Sequence, residues 1–165
     1  MRQKKSDKQS GNWLKLVMVM VVAVGVYFAY QQLQRHLGQQ ARDNIRIEML
    51  DFDVALAKAQ AHEKLILADM SAIWCPTCRK LDSTIFSDER VQQVIDNNFV
   101  FARIDYDTEQ GQDFAQRYRV SGYPVLLILD EQGEKLTRLP LSFDPMEFIG
   151  NLNKVLSTQQ KALAN

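Results

Sequence analysis

The sequence contains only two cysteines, two histidines and no net charge. Two cysteines cannot form the disulfide framework of a small exported domain, so stability has to come from a packed core. Because 20 basic residues balance 20 acidic ones, nothing in the overall charge indicates binding to nucleic acid or to an acidic surface. The hydrophobic fraction of 46% is normal for a globular protein and too high for a disordered one.

One long apolar run lies near the N-terminus. Between Trp13 and Tyr30 the only charged residue is Lys15, which can extend toward the nearer headgroups. About 17–25 apolar residues are needed to cross a bilayer core, and aromatic rings favour the two interfaces. The run therefore predicts a transmembrane anchor over residues 13–30, in direct contact with the lipid bilayer.

A cleaved signal peptide is the alternative interpretation of this run. Its small-x-small site, Ala23-Val24-Gly25, falls inside the apolar run rather than after it, which favours an uncleaved anchor. Both interpretations export the rest of the chain. Basic residues cluster before the run, so residues 1–12 are predicted to be a basic cytoplasmic N-terminus and the C-terminal domain to be periplasmic or otherwise extracytoplasmic.

Residues 31–44 are polar and rich in glutamine, and they predict a spacer that holds the next domain off the bilayer, with its first turns as a candidate continuation of the helix. Residues 45–156 alternate strand-like and helix-like segments, which predicts an α/β domain, and residues 157–165 predict a flexible tail. The predicted strands are near Ile45–Met49 and at Lys64–Met70, Phe99–Asp105, Val125–Leu129 and Lys135–Leu139. The predicted helices are Asp53–Glu63, one after the cysteines, one capped by Ser87, Glu109–Arg117, and one from Asp144 to about Leu156. In the first of these helices, Val54, Leu56, Ala57 and Ala61 are predicted to face the core, with Asp51 or Asp53 as N-cap.

The two cysteines occur in the motif Trp74-Cys75-Pro76-Thr77-Cys78, directly after a buried strand and at the start of a helix. A thiolate, not a thiol, attacks a disulfide, and the free N–H groups and macrodipole of a helix N-terminus favour an anion. Cys78 follows one turn later, close enough to close a ring with Cys75. Pro76 suits the first helical turn, where its missing N–H has no consequence. The motif therefore predicts dithiol–disulfide chemistry.

The sequence around these two cysteines resembles that of the thioredoxin superfamily. Asp69 lies six residues before Cys75, where thioredoxins keep a buried acid, and Tyr123-Pro124 leads into a late strand as the family's cis-proline does. The resemblance implies a thioredoxin-like fold, a central mixed sheet flanked by helices. The run from Phe86 to Val91 is most similar to the C-terminal periplasmic domain of the transmembrane thiol reductase DsbD and its small anchored relatives.

The resemblance also implies roles for single residues. Cys75 would be the exposed nucleophile that forms a mixed disulfide, and Cys78 would resolve it. Asp69 would take the proton from Cys78, through a water. Cis-Pro124 would present the backbone of Tyr123 to an extended substrate. Residues of the motif itself, Trp74, Pro76 and Thr77, would border the substrate.

Three departures from the thioredoxin pattern argue against a general reductase. The dipeptide between the cysteines is Pro-Thr instead of Gly-Pro, Tyr123 is bulky, and Pro140 replaces a glycine beside the substrate groove. The predicted function is a membrane-tethered thiol:disulfide oxidoreductase that reduces exported proteins with electrons from a membrane donor. A disulfide oxidase or isomerase, and a non-catalytic redox-sensing interaction module, remain alternatives.

No organic cofactor is expected, since the dithiol is itself the redox group. A zinc site is disfavoured because the sequence has no second CxxC and its histidines, His36 and His62, lie at unsuitable spacings. A permanent structural disulfide is a further alternative, but so small a loop contributes little stabilisation. The expected partners are protein thiols and disulfides, the membrane donor and the bilayer, with no nucleic acid.

Overall fold

The computed structural model describes residues 7–163, with side chains over residues 13–161. The first element is one long helix, α1 (Asp7–Arg42). A helix of 36 residues is about 54 Å long. Within the described part of the chain, only this helix is long and apolar enough to cross a membrane. None of the residues in its most apolar stretch is buried. The predicted basic N-terminus, residues 1–12, lies outside the described side chains.

A four-stranded mixed sheet forms the centre of the remaining chain, with strand order β2-β1-β3-β4. Strand β1 (Leu65–Ser71) pairs in parallel with β2 (Phe99–Asp105) and antiparallel with β3 (Val125–Leu129). Strand β4 (Lys135–Arg138) pairs antiparallel with β3 after a turn at residues 130–134. The predicted fold class, a thioredoxin-like α/β sheet flanked by helices, is confirmed.

Helices cover both faces of the sheet and produce two separate apolar cores. On one face lie α3 (Pro76–Leu81), the π-helical turn Asp82–Phe86 that continues it, α4 (Glu89–Asn98) and α6 (Pro145–Leu163). On the other face lie α2 (Phe52–His62) and α5 (Glu109–Arg117). Alternate residues of β1 enter the two cores, because successive side chains of a strand point to opposite faces.

Several details differ from the sequence-based prediction. Residues 45–49 form no strand; Leu50 alone makes a bridge to Ala102 of β2, because the chain enters α2 two residues later. Ile45 and Ile47 are buried in the core, so their alternation serves packing and not a strand ladder. Helix α4 is capped by Asp88, whose side chain accepts the N–H groups of residues 90 and 91, and not by Ser87.

The buried face of α2 is also different from the predicted one. Phe52, Ala55 and Ala59 are buried, whereas Val54 is exposed to 54%. Leu56 is half-buried, and the predicted inward residues Ala57 and Ala61 are exposed. The helix begins with Phe52, after Asp51 at the N-cap position, and the bulky ring of Phe52 sets which face is buried. The N-cap prediction of Asp51 is correct in position, but its side chain makes no capping hydrogen bond.

The segments at both ends of the α/β domain are more helical than predicted. Helix α6 begins after Asp144, whose carboxylate accepts the N–H of Glu147, and continues past Leu156 to Leu163. Helix α1 continues through the predicted spacer to Arg42, since that stretch consists largely of good helix formers and contains no proline. The spacer therefore packs on the domain: Gly38 and Ala41 are buried, and α1 contacts α3 and the π-helical turn.

Candidate active site

The two cysteines lie at the start of α3, where β1 has just ended. Cys75 occupies the N-cap position, and its Sγ accepts a hydrogen bond from the backbone N–H of Cys78 at 3.1 Å. Pro76 is the first residue of the helix, as predicted for a residue without an N–H. Both thiols are free. The fold thus places the Cys75 sulfur where it accepts a hydrogen bond from an N–H group that has no partner within the helix.

Cys75 is buried, contrary to the prediction of an exposed nucleophile. Its exposed fraction is 4%, and that of Cys78 is 2%. The half-buried rings of Trp74, Tyr106 and Tyr123 pack against the cysteine pair. The Tyr123 ring centroid lies 5.3 Å from that of Trp74 and 4.9 Å from that of Tyr106, and the Trp74 indole donates to Asp107 at 2.7 Å. These rings shield Cys75 from solvent.

Asp69 is fully buried in β1, below the cysteines, as the resemblance implies. Burial raises the pKa of this carboxyl from 3.8 to about 6, and the nearby Arg103 guanidinium opposes the rise. Burial also raises the pKa of the Cys78 thiol, and the hydrogen bond with Cys75 adds to it. At neutral pH the site therefore pairs an ionised carboxylate with a Cys78 that holds its proton.

Arg103 of β2 lies beside Asp69, because the two residues are register partners in the parallel strand pair. Its Nη1 atom is 2.8 Å from Asp69 Oδ2, yet its N–H bonds are directed elsewhere, to Ser71 Oγ at 3.1 Å and to Asp82 Oδ1 at 2.7 Å. Within the described residues neither Asp69 oxygen accepts a side-chain hydrogen bond. The carboxylate is thus balanced by a cation while its oxygens remain available to accept a proton.

A second arginine reaches this cluster from α1. Arg42 Nε is 3.8 Å from Asp82 Oδ2, and its Nη2 donates to Ser71 Oγ at 3.5 Å. The cluster contains two carboxylates, Asp69 and Asp82, and two guanidinium groups, Arg42 and Arg103. Both guanidinium groups line an open cavity of about 650 Å³ beside the carboxyl end of β2.

The Tyr123–Pro124 peptide bond is cis, and the pair leads into β3. Pro124 and Pro140 line one shallow cavity of about 190 Å³ near the start of β3. Pro76 and Thr77 are exposed at the start of α3. The structure therefore places all of the predicted substrate-contacting residues around the dithiol, and their roles in binding stay predictions.

Sequence reasoning missed the charged cluster around Asp69. A signal for Arg103 was present, since it is the one basic residue inside the apolar strand Phe99–Asp105. Asp82 follows Cys78 by one helical turn, a spacing that places the two residues on the same face of the helix. Arg42 gave no signal, because its contact depends on how α1 packs. No group of three His, Cys, Asp or Glu side chains suited to a metal ion occurs among the residues described.

Comparison with known proteins agrees with this geometry. A family model described as thioredoxin-like matches residues 46–131. The chain is 32% identical over 111 residues to UBX domain-containing protein 2 of Schizosaccharomyces pombe, a match that covers 67% of this chain and 26% of that protein. It is 26% identical over 132 residues to the thiol:disulfide interchange protein DsbD of Colwellia psychrerythraea, covering 74% of this chain and 22% of that protein.

Among solved structures, a thioredoxin from Thermus thermophilus is similar at a TM-score of 0.61 and 31% identity, over 68% of this chain and 88% of that one. The chain spans about a quarter of the length of the two curated relatives. The names of the DsbD relatives support the predicted enzyme class, a protein-disulfide oxidoreductase. Since the family model covers more than half of the sequence and includes both cysteines, the chain belongs to the thioredoxin-like family and is DsbD-like within that superfamily.

Proposed function

We propose that this protein is a membrane-tethered thiol:disulfide oxidoreductase that reduces disulfides of exported proteins. The observation that carries the proposal is the Cys75 sulfur, which accepts the N–H of Cys78 at the start of α3 above a buried, ionisable Asp69. This arrangement supplies an attacking sulfur at a helix N-terminus, a second thiol one turn away, and a base. The first attacks the substrate disulfide, the second resolves the mixed disulfide, and the base accepts the proton of the resolving thiol.

In the first step the Cys75 thiolate attacks one sulfur of a substrate disulfide. A bond forms between Cys75 Sγ and that sulfur, the substrate S–S bond breaks, and the other substrate sulfur leaves as a thiolate. Tyr123 and the backbone before Pro124 hold an extended substrate segment beside Cys75. The rings around Cys75 have to move aside for this attack, because its exposed fraction is only 4%.

In the second step Cys78 resolves the mixed disulfide. Asp69 accepts the Cys78 proton, and the resulting thiolate attacks Cys75 Sγ. The substrate sulfur that was bonded to Cys75 leaves with the electron pair of that bond, and the chain is left with a Cys75–Cys78 disulfide. Two electrons have passed from the dithiol to the substrate. A dithiol donor in the membrane then returns the pair to the reduced form by the reverse exchange.

The tether is the apolar stretch of α1, residues 13–30. Its large apolar side chains are exposed along the whole stretch, with Trp13 at 68% and Tyr30 at 56% exposure, as suits a helix surrounded by lipid. The basic N-terminal residues favour a cytoplasmic N-terminus and a periplasmic redox domain. Resistance of the protein to carbonate extraction, together with protease cleavage of the domain only from the periplasmic side, tests both statements.

The exchange chemistry is tested with the full-length chain in detergent and a peptide that contains one intramolecular disulfide. Because the chain has no other cysteine, each variant has a simple expectation. Cys75→Ser abolishes reduction of the peptide, and Cys78→Ser accumulates a mixed disulfide at Cys75. The double variant gives the baseline. Turnover that survives in Cys75→Ser with an intact fold contradicts the proposal.

The direction of electron flow is tested in cells by acid quenching and alkylation with a mass-shifting reagent. A pair that is mostly reduced in an oxidising compartment means that a donor supplies electrons continuously. A pair that is mostly oxidised contradicts the reductase and favours the oxidase or an inert disulfide. The rate at which the pair reoxidises after dithiothreitol treatment then separates these two.

A further inference from the structure

Arg42 belongs to the membrane-proximal helix and not to the segment that matches the thioredoxin-like family, which begins at residue 46. Its side chain nevertheless reaches the charged cluster around Asp69. We propose that Arg42 is a positioning residue of the active site: it holds Asp82, so that the guanidinium of Arg103 is shared with Asp69 and the carboxylate can accept the Cys78 proton. The inference rests on the proposed exchange reaction and adds a residue from the anchor helix to it.

The Arg103 guanidinium is shared between two carboxylates, Asp69 and Asp82. Its Nη2 donates to Asp82 at 2.7 Å, while Nη1 lies 2.8 Å from Asp69. Asp82 is 2% exposed, so its charge has to be balanced by buried cations. Arg42, 3.8 Å from the second oxygen of Asp82, provides part of that balance. Without Arg42, Arg103 alone faces two buried carboxylates.

The charged and titratable groups around Asp69 come from four different elements of the fold. Arg103 comes from β2, Asp82 from the π-helical turn, Arg42 from α1 and the Cys78 thiol from α3, whereas the partner on β3 is the apolar Leu126. Arg42 lowers the pKa of Asp69, and Asp82 raises it. Loss of Arg42 therefore removes a cation and leaves Asp82 less balanced. Both changes favour the protonated form of Asp69, which cannot accept a proton.

Close packing of α1 on the domain places Arg42 beside Asp82. A Cβ atom at Gly38 would lie 2.0 Å from the backbone oxygen of Ile73, so only glycine allows α1 to approach this closely. Gln34 accepts a hydrogen bond from Arg79 at 2.7 Å, one residue after Cys78. Helix α1 is thus fixed at two points, against Ile73 just before the active-site helix and against Arg79 within it, and Arg42 extends from the next turn.

The direct test follows the protonation of Asp69 by infrared spectroscopy of its carboxyl band in the full-length protein in detergent, assigned by its loss in Asp69→Asn. In Arg42→Gln the pH midpoint of this band rises, and Arg42→Lys restores it. Arg46→Gln is the matched control, because Arg46 makes only an exposed ion pair with Glu89. An unchanged midpoint in Arg42→Gln overturns the inference, whether or not the protein turns over disulfides.

Activity gives the second readout. A rise of about 0.3–0.5 pH units in the midpoint lowers the rate of peptide reduction about twofold near pH 6 and leaves it unchanged at pH 8, because the ionised fraction of Asp69 changes only at pH values near or below its pKa. A loss of equal size at every pH instead means that Arg42 is merely structural, and overturns the inference. Absence of turnover in the parent protein refutes the proposed function and leaves the infrared result valid.

Gly38→Ala tests the same idea with Arg42 intact. The added methyl group separates α1 from Ile73, so the Asp69 midpoint rises as in Arg42→Gln. Gly25→Ala in the same helix is the control, since no heavy atom lies within 4 Å of a Cβ placed there. Equal midpoints in the two alanine variants contradict the role of helix packing.

Discussion

The face of β1 and β2 that α3 covers changes character halfway along the strands. Toward the amino ends it carries Leu65 and Leu67 beside Phe99 and Phe101, all buried in the apolar core. Toward the carboxyl ends the same face carries Asp69 and Ser71 of β1, with Arg103 of β2 paired to Asp69, and these are buried as well. One face of one sheet thus contains an apolar core and a charged cluster at the same depth.

The difference shows what each half contributes. Buried methylene groups stabilise a fold through the area that they remove from water. A buried charge opposes folding unless it is paired, and a carboxylate buried beside an arginine is retained for what it can do with a proton. The amino half should therefore determine stability, and the carboxyl half should determine chemistry at the expense of stability.

The largest expected change comes from Leu67→Ala in the apolar half. Loss of this fully buried side chain leaves a cavity and lowers the free energy of unfolding by about 2–5 kcal/mol. Denaturant unfolding of the full-length protein in detergent measures it. The rate of disulfide reduction per folded molecule stays at the parent value. A variant that folds normally yet has lost exchange would show that the two halves are not separate.

Asp69→Asn is expected to have the opposite effect on stability. Since burial raises the pKa of Asp69 from 3.8 to about 6, the folded protein binds this proton more tightly than the unfolded chain does. The stability that this bound proton contributes is therefore lost as the pH rises from about 4 to about 6, and it stays lost at higher pH. A rise of about 2 in the pKa corresponds to about 3 kcal/mol in the free energy of unfolding. Asp69→Asn is therefore more stable than the parent by as much as about 3 kcal/mol at pH 8, and equally stable below about pH 4.

Unfolding curves at several pH values measure this gain. Asp113→Asn, which removes an exposed acid, is the control and leaves the pH dependence unchanged. Disulfide exchange by Asp69→Asn slows, because Cys78 loses its proton acceptor. A variant that is less stable than the parent at pH 8 would mean that the ion pair with Arg103 outweighs the desolvation of Asp69.

The smallest expected effect is that of Ser71→Ala. The hydroxyl accepts hydrogen bonds from Arg103 at 3.1 Å and from Arg42 at 3.5 Å, and its removal leaves buried charged donors without this acceptor. We expect a loss of about 1–2 kcal/mol in the free energy of unfolding. Ser83→Ala, at an exposed position, is the control with no measurable change. Equal stabilities for the two variants would show that the hydroxyl is dispensable.

The apolar half was predictable from sequence, because its signals are local. The run Phe99–Asp105 predicts β2 to the residue, and Val125–Leu129 predicts β3 equally well. Short apolar runs between turn residues identify buried strands without knowledge of their neighbours. The dithiol was predictable for the same reason, since both cysteines and the start of their helix occupy four consecutive positions.

The charged half was only partly predictable, because its contacts join distant parts of the chain. Asp69 was found through a resemblance, but its partners are 13 and 34 positions away, at Asp82 and Arg103, and Arg42 lies in a segment predicted as spacer. The burial of Cys75 was missed for a related reason. Tyr106 and Tyr123 reach the cysteine from two loops whose positions depend on the complete sheet.

The docking of α1 has a consequence for where this protein can be divided. The segment that family resemblance defines begins at residue 46, but the contacts with the domain begin at least twelve positions earlier, with the hydrogen bond between Gln34 and Arg79. A fragment cut at the homology boundary would keep both cysteines and lose the second counterion of Asp82. The segment that defines the family and the segment that packs around the active site are therefore not the same stretch of chain, and properties measured on the shorter one describe a different electrostatic environment.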